Sequence, residues 1–244
     1  MKGSRRYLFL LLATACARPA AAPPPVAPPP VASPAPQPAN TPLELRPSGT
    51  IFIGCGFLRV ENHGSTTFSL VLPAAKPMQS KMNPSVVLLD GVLIQAGVSS
   101  AAEIGAPELR GQDLLHHQMT WEADRMAKRR GWTNLPPPSG QPIELGLGAD
   151  IKTWFWGLDA PESFEVDGVK VNRVAYLSVA VDDVVLTLAS PLRQEDDPDP
   201  IARVMSRAMR SLRRSASPID VFTVQETAMA GKLDPAFCAR VGPS

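Results

Sequence analysis

Two adjacent histidines, His116 and His117, are the first side chains that suggest chemistry, because imidazole binds metal ions and transfers protons. They lie in a predicted helix, where neighbouring side chains point about 100° apart, so they cannot face one metal ion as an i, i+4 pair does. A structural metal site also requires about four ligands. We therefore expect ordinary surface histidines and no metal site.

An acidic run near the end of the chain is a candidate calcium site, since calcium prefers carboxylate oxygens. The run consists of Glu195, Asp196, Asp197 and Asp199. It has neither the glycine turn nor the spaced ligands of a calcium-binding loop. Because Pro198 follows Asp197 directly, the pattern instead predicts a solvated loop in which Asp197 caps a helix.

Trp154 and Trp156 alternate with Phe155 in a predicted strand, so both indoles are expected on one face of a sheet. Two tryptophans on one face can form a platform for a ligand or a protein partner. The alternative is packing in the core beneath a helix, which the pattern favours.

Four arginines form a basic stripe on the last predicted helix. Arg203, Arg207, Arg210 and Arg214 are spaced i, i+4, i+7 and i+11, opposite the apolar face. Such a stripe can contact anionic lipid headgroups or an acidic partner. A solvated helix face is the alternative and the more usual arrangement.

Catalytic motifs are missing from the sequence. It contains no Gly-x-Ser-x-Gly, phosphate loop, dinucleotide-binding glycine pattern or His-Glu-x-x-His. A hydrolase whose catalytic residues are scattered along the chain leaves no such motif and stays an alternative. We expect a protein that is not an enzyme, with no catalytic residues and no cofactor.

Cys16 is the candidate for covalent modification, and it directly follows a targeting segment. A basic start at residues 2–6 precedes an apolar run at residues 7–13. The run is shorter than the roughly 20 residues that cross a membrane as a helix. The pattern is typical of a signal peptide, here residues 1–15.

Residues 12–16, Leu-Ala-Thr-Ala-Cys, resemble a bacterial lipobox, which predicts acylation of Cys16 and a membrane anchor. Ala17 stands where Asp would retain an enterobacterial lipoprotein at the inner membrane, so the outer membrane is favoured. Ala-Thr-Ala at residues 13–15 also suits the ordinary signal peptidase. In that case the protein would be soluble, either periplasmic or secreted.

A proline-rich stretch at residues 16–48 follows the cysteine. Between residues 17 and 48 lie 12 of the 27 prolines. Proline lacks an amide donor and fixes φ, so the stretch predicts a disordered, stiff linker in extended polyproline conformation. At ~3.1 Å per residue, about 24 residues would reach about 75 Å. We interpret it as a tether; a passive linker and a Pro-x-x-Pro ligand are the alternatives.

With Cys16 set aside, Cys55 and Cys238 remain, near the two ends of the single domain predicted at residues 49–244. An oxidising compartment favours a disulfide between them. Closing so long a loop contributes up to ~4–5 kcal/mol in the chain-entropy model. Two buried free cysteines are an equally open alternative.

The charge balance argues against a nucleic-acid partner. The chain has 244 residues and a net charge of +1, with 24 basic and 23 acidic residues. Three of the basic residues lie in the signal peptide, so the mature chain is slightly acidic. A protein of this charge has no global field that draws it to nucleic acid.

The hydrophobic pattern predicts an α+β domain, a mostly antiparallel β-sheet packed with two main α-helices. Asp-Gly at residues 90–91 and 167–168, and Asp-Asp at 182–183, predict tight hairpin turns. Helices are predicted at residues 107–130 and after Asp197, and strands at residues 50–60, 67–72, 86–89, 92–96, 143–147, 151–158, 164–166, 169–171, 173–181 and 184–190.

One stretch resembles the end of the PsbP-like and DcrB-like family. Residues 176–188 form a hairpin, and after a loop a helix ends in Met-Arg-Ser-Leu at 209–212. Family domains finish with a hairpin, a loop and a helix that closes on Ser-Leu or Ser-Phe. The resemblance covers about residues 67–212. It implies an α/β/α domain of a mainly noncatalytic kind, such as an extrinsic subunit, an adaptor or an envelope lipoprotein.

The segment after residue 215 departs from that family, with an extra strand or helix around residues 219–229 and Cys238. Together these patterns predict a noncatalytic envelope lipoprotein that contacts a protein partner or serves as an accessory subunit. The alternative is a small-molecule or lipid-binding module. Its pocket would lie between the sheet and the helix at residues 107–130, lined by Trp154 or Trp156.

Overall fold

The computed structural model describes residues 48–63, 66–79, 83, 85–166 and 169–240. The predicted signal peptide, Cys16, the proline-rich stretch up to residue 47 and the Asp-Gly pair at 167–168 lie outside the described residues. The predictions made for them therefore stay predictions.

The described chain contains eleven strands and four helices. In chain order they are β1 (Gly49–Ile53), β2 (Gly56–His63), β3 (Thr66–Pro73), β4 (Pro77–Gln79), β5 (Val86–Leu89), β6 (Val92–Ser100), α1 (Gly111–Arg130), β7 (Ser139–Pro142), β8 (Lys152–Val166), β9 (Val169–Val181), β10 (Val184–Leu192), α2 (Pro198–Arg210), β11 (Arg213–Ser215), α3 (Val221–Met229) and α4 (Ala236–Ala239).

The strands form two sheets rather than one. The first has the order β1-β2-β3-β11, and the second has the order β4-β5-β6-β10-β9-β8-β7. All neighbouring strands in both sheets are antiparallel. The predicted α+β class with mostly antiparallel strands is confirmed.

Alternate residues of β9 face opposite sides of the seven-stranded sheet, as the pleat of a strand requires. Leu177 and Val179 join a core that also contains α2 and strands β2 and β3. Val174 and Tyr176 point the other way and pack beneath α1. Helix α1 therefore covers one face of this sheet, while α2 and the four-stranded sheet pack on the other.

Residues 50–60, predicted as one strand, form the two strands β1 and β2 with a turn at Gly54 and Cys55. Gly56 opens β2 at φ +140°, and a Cβ there would lie 2.1 Å from the carbonyl oxygen of Leu72. Only glycine allows this close approach to β3, so the apolar run folds back on itself.

Residues 143–147, also predicted as a strand, are not one. The strand next to β8 is instead β7, which ends at Pro142. Gly146 and Gly148 have positive φ and break the extended backbone. Ile143 and Leu145 still pack against the main core, which explains why the segment carries a strand-like apolar pattern.

The helix ends follow the predicted chemistry. Gly131 terminates α1 at φ 71°, and its N–H donates to the carbonyl of Ala127. Asp197 caps α2 by accepting a hydrogen bond from the Asp199 N–H at 3.0 Å, which confirms the predicted cap. Helix α1 begins only at Gly111, because the preceding residues form turns.

The extra C-terminal segment is helical. Helices α3 and α4 pack on the outer face of the four-stranded sheet, where Val221 contacts a small core that includes Ile51 and Ile53. Cys55 and Cys238 are joined by a disulfide with a Cα–Cα distance of 5.8 Å. No helix in the described part of the chain has the length and apolar character needed to cross a membrane.

Candidate functional site: a groove beside helix α1

Helix α1 is held on the seven-stranded sheet by one apolar side. Leu114 and Leu115 are fully buried against Ala180 and Val185, and Met119 and Ala123 are buried near Trp156. The i, i+4, i+8 spacing of Leu115, Met119 and Ala123 places them on one face, as the sequence predicts. This packing fixes the helix over β8 and β9.

Gln118 belongs to the same buried side of α1 and is only 3% exposed. Its Oε1 lies 3.4 Å from the Ser178 hydroxyl on β9. Ser178 also lies 3.0 Å from Trp156 Nε1 and 3.0 Å from the Thr187 hydroxyl. A network of four polar side chains therefore crosses three strands beneath the helix.

The donors in this network have one consistent arrangement. The Trp156 indole N–H can only donate, so it donates to Ser178. Gln118 Oε1 can only accept, so Ser178 gives it its single proton. Thr187 then donates to Ser178. The two N–H bonds of the Gln118 amide have no acceptor among the described residues.

Beside α1 the sheet is not covered, and a groove of about 610 Å³ lies there. Its floor is the face of β6, β9 and β10 that carries Gly97, Thr187 and Tyr176. One wall is α1 from Gln118 to Arg130, and the other includes Leu93, Val98, Phe164 and Val166. Gly97 leaves the floor open, since a Cβ added there would meet no atom within 4 Å.

The helical wall is mostly cationic. Three arginines line the groove, Arg125, Arg129 and Arg130, against one acid, Glu122. Arg125 pairs with Glu122 at 2.6 Å, and this hydrogen bond raises the pKa of the guanidinium. Arg130 lies over the Phe164 ring at 4.6 Å. Arg129 is exposed and has no ion pair among the described residues.

Tyr176 forms part of the floor as a neutral group. Its ring stacks on Trp156, and its hydroxyl donates to the sulfur of Met126 at 3.0 Å. Burial raises the pKa of Tyr176 well above its ordinary value, and the charge of Glu122 adds to the shift. Tyr176 is therefore a neutral donor and is not a general base at physiological pH.

A second groove of about 540 Å³ continues the first. The two share Val86, Leu93, Val166 and Pro191, where strands β5, β6 and β10 approach the end of β8. Its lining is mainly valine and leucine, and it includes the exposed side chain of Val169. Together the grooves form a trough that is polar at one end and apolar at the other.

The two tryptophans are on one face of β8, as predicted, but they do not form an open platform. Trp156 is 1% exposed and stacks on Tyr176, so it is a core residue. Trp154 is half-buried with its ring against His116 at 4.5 Å, and its Nε1 has no hydrogen-bond partner among the described residues. Neither lines the groove beside α1.

The predicted histidines and the acidic run do not form a shared site. His117 contacts the carbonyl of Ile104 through Nε2 at 2.9 Å, and so it helps to close the turn before α1. Asp196 is bonded to Arg193, which lowers the pKa of the Asp196 carboxyl. No cluster of His, Cys, Asp or Glu within the described ranges could hold a metal ion.

The prediction that Arg214 belongs to the basic stripe on the last helix is wrong. Arg203, Arg207 and Arg210 are on α2, but the helix ends at Arg210 and Arg214 lies in β11. There Arg214 pairs with Asp182 and, at 3.7 Å, with Asp150. The helix ends because Ser211 is buried and its hydroxyl bonds the backbone of Val71.

Sequence reasoning missed most of the groove. Gln118, Ser178 and Thr187 are ordinary polar residues with no motif, and only a polar residue on the apolar side of α1 could have drawn attention to Gln118. Arg125, Arg129 and Arg130 near the C-terminal end of the predicted helix complement the helix dipole wherever they point, so the sequence does not tell which of them faces a groove.

Comparison with known proteins adds little. No known protein family matches the chain, and no curated protein matches it. Among solved structures it is similar to cyanobacterial PsbP (CyanoP) from Synechocystis sp. PCC 6803, with a TM-score of 0.35 and 9% identity over 61% of this chain and 86% of that one. The likeness is a weak one of fold, and no residue role is transferred from it.

Proposed function

We propose that this chain is a noncatalytic, exported lipoprotein whose folded domain binds a small apolar or amphiphilic molecule in the groove beside α1. The observation that carries the proposal is the groove of about 610 Å³, which has a buried polar network at its floor. Small-molecule sites commonly measure about 300–1,000 Å³ and combine apolar walls with a few placed polar groups. A lipid on Cys16 and the proline-rich stretch behind it would hold the domain near an envelope membrane, for which the outer membrane is favoured.

The lining of the groove supports binding rather than catalysis. None of its described lining residues is a histidine or cysteine. Its one acid, Glu122, is already paired with Arg125. The phenol of Tyr176 keeps its proton because burial raises its pKa. The groove therefore lacks the pairing of nucleophile and base on which acyl-transfer or hydrolytic chemistry depends.

The test is binding of N-phenyl-1-naphthylamine, a neutral apolar dye whose fluorescence rises in a dry site. Gly97→Leu places a side chain in the open floor of the groove without backbone strain, and we expect it to abolish the signal. Gly54→Leu is the matched control, since a Cβ there also meets no atom within 4 Å and lies outside the groove. Equal dye binding by both variants and the unmodified protein contradicts the proposal.

A protein contact is a second candidate, carried by a different surface. Phe222 and Met229 are seven residues apart on α3, hence on one face, and they are 64% and 82% exposed. Large apolar side chains this exposed on one helix face are typical of interaction sites. We propose that they contact an envelope protein, in keeping with the role of an accessory subunit.

That candidate is tested by affinity capture from detergent-solubilised membranes. Phe222→Glu with Met229→Glu should release a partner that the unmodified protein retains, whereas Thr223→Glu, at an exposed polar position about 100° around α3 from Phe222, should not. Failure to recover any reproducible partner with the unmodified protein counts against this role.

A further inference from the structure

The groove beside α1 has a directional chemistry that narrows its ligand. Its charged end is the C-terminal half of α1, where Arg125, Arg129 and Arg130 line the wall. The Gln118 amide is 11 residues before Arg129 on the helix, about 16 Å away along its axis, and lies at the other end of this wall. Guanidinium groups donate hydrogen bonds and do not accept them, so the arginine end suits an acceptor-rich group.

The net charge at this end also favours an anionic ligand. Three arginines and one glutamate leave the groove lining with two more positive than negative side chains. Helix α1 ends at Arg130, where the macrodipole contributes about half a negative charge, so the side chains outweigh it. The polar end therefore attracts an anion, and oxygen anions accept hydrogen bonds from amides and guanidinium groups.

The second groove, which continues past the arginines, is suited to a chain of CH₂ groups. The second groove begins at Val86, Leu93 and Val166, which it shares with the first, and extends past Val92 and Val169. Among the described residues that line it, the charged ones are Arg193 and Asp196, which neutralise each other in an ion pair at 2.8 Å. A long apolar tail can lie here while its head stays at the donors.

Resting on the proposed binding function, we propose that the ligand is a single-chain amphiphile with an anionic oxygen head group, a carboxylate or a phosphate. Its head lies at Arg125 and Arg129, one helical turn apart on α1, and its alkyl chain follows the trough toward Val92 and Val169. No bond is made or broken, and the protein binds and shields the molecule.

The experiment is isothermal titration calorimetry with four twelve-carbon probes below their micelle concentrations. Dodecanoate and dodecyl phosphate carry anionic heads, dodecyl maltoside is neutral, and dodecyltrimethylammonium is cationic. We expect both anions to bind about ten-fold or more tightly than the neutral and cationic probes, with a preference that shrinks as salt is added. Shortening dodecanoate by one CH₂ should weaken binding by up to about four-fold.

The variants separate head recognition from the groove itself. Arg129→Gln should weaken dodecanoate binding by about two- to five-fold and leave the dye N-phenyl-1-naphthylamine bound. Lys128→Gln is the matched control, since Lys128 is the exposed cation next to Arg129 and does not line the groove.

The outcomes distinguish this inference from the proposed function. If the dye binds and the four probes bind with equal affinity, the anionic head group is wrong and the groove is an apolar site. The anionic head group is also overturned if Lys128→Gln weakens dodecanoate binding as much as Arg129→Gln does. The loss would then come from the lower net charge of the protein and not from a contact in the groove. If neither the dye nor any probe binds, the binding function itself is wrong.

Discussion

The Trp156 indole lies flat on the Tyr176 ring, with centroids 3.9 Å apart and planes inclined by 9°. The two residues are directly opposite in the β8–β9 pairing, so the stack joins neighbouring strands under α1. It also fills the space in which an open tryptophan platform would have formed. The indole N–H of Trp156 is bonded to Ser178 and the hydroxyl of Tyr176 to Met126, and of the two residues only Tyr176 lines the groove.

Tyr176 should titrate only when the protein unfolds. Burial raises its pKa above the ordinary value near 10, so the neutral phenol stabilises the folded state below that pH. The contribution is lost as the pH rises above about 10 toward the folded-state pKa, and stability should fall there. The sequence contains 2 tyrosines, and the other is Tyr7 in the predicted signal peptide.

A protein without residues 1–15 therefore reports on Tyr176 alone. Tyrosinate absorbance near 295 nm should rise in step with the loss of the circular dichroism signal during an alkaline titration. Tyr176→Phe is the control for background absorbance. A rise in absorbance centred near pH 10 while the protein is still folded would contradict a buried phenol.

Ser178→Ala should destabilise the domain because Trp156 Nε1 loses its acceptor in a buried site. Leaving a buried donor without a partner costs about 1–3 kcal/mol in the free energy of unfolding. Ser190→Ala on β10 is the matched control, since Ser190 is equally buried and makes no hydrogen bond through its hydroxyl among the described residues. Urea unfolding followed by tryptophan fluorescence measures both, and equal values for the two variants would contradict the network.

Reduction of the Cys55–Cys238 disulfide should lower stability and loosen the C-terminal helices. The two cysteines are 183 residues apart in sequence, so the bond constrains nearly the whole unfolded domain and contributes up to ~5 kcal/mol in the chain-entropy model. Urea midpoints with and without reductant test this. A Cys55→Ser, Cys238→Ser variant should match the reduced protein and be insensitive to reductant, and an unchanged midpoint in both would show that the bond is not a stabilising one.

Cys16→Ser should move the protein from the membrane fraction to the soluble fraction, because the acylated cysteine is the predicted anchor. Immunoblots of fractionated cells compare it with Ala17→Ser, which changes a neighbouring residue and keeps the cysteine. If the Cys16→Ser protein sediments with membranes as the unmodified protein does, the protein is not held there by a lipid on Cys16.

Much of the fold could be predicted because its signals are local. The turn at Asp90 and Gly91 and the turn at Asp182 both have positive φ, which short polar residues and glycine tolerate. The end of α1 at Gly131 and the cap at Asp197 also depend on one or two residues. These features need no knowledge of the rest of the chain.

Two other features could not be predicted from local sequence patterns. The apolar residues at 143–147 are buried by the core without joining a strand, and hydrophobicity alone does not separate these two cases. The fourth strand of the first sheet comes from the pairing of β11 with β3, two segments far apart in sequence that no local pattern connects.

The sequence by itself determined the α+β class, the hairpin turns, the end of α1 at Gly131 and the cap of α2 at Asp197, because backbone preferences and side-chain periodicity are local properties. It also contains the predicted export signal and the pair of cysteines that the fold brings together. Only the tertiary structure decided that the tryptophans are core residues, that Arg214 leaves the basic stripe, and that Gln118 and Arg129 share a groove. Those outcomes depend on which surfaces are buried against each other, and burial is decided by contacts between segments distant in the chain.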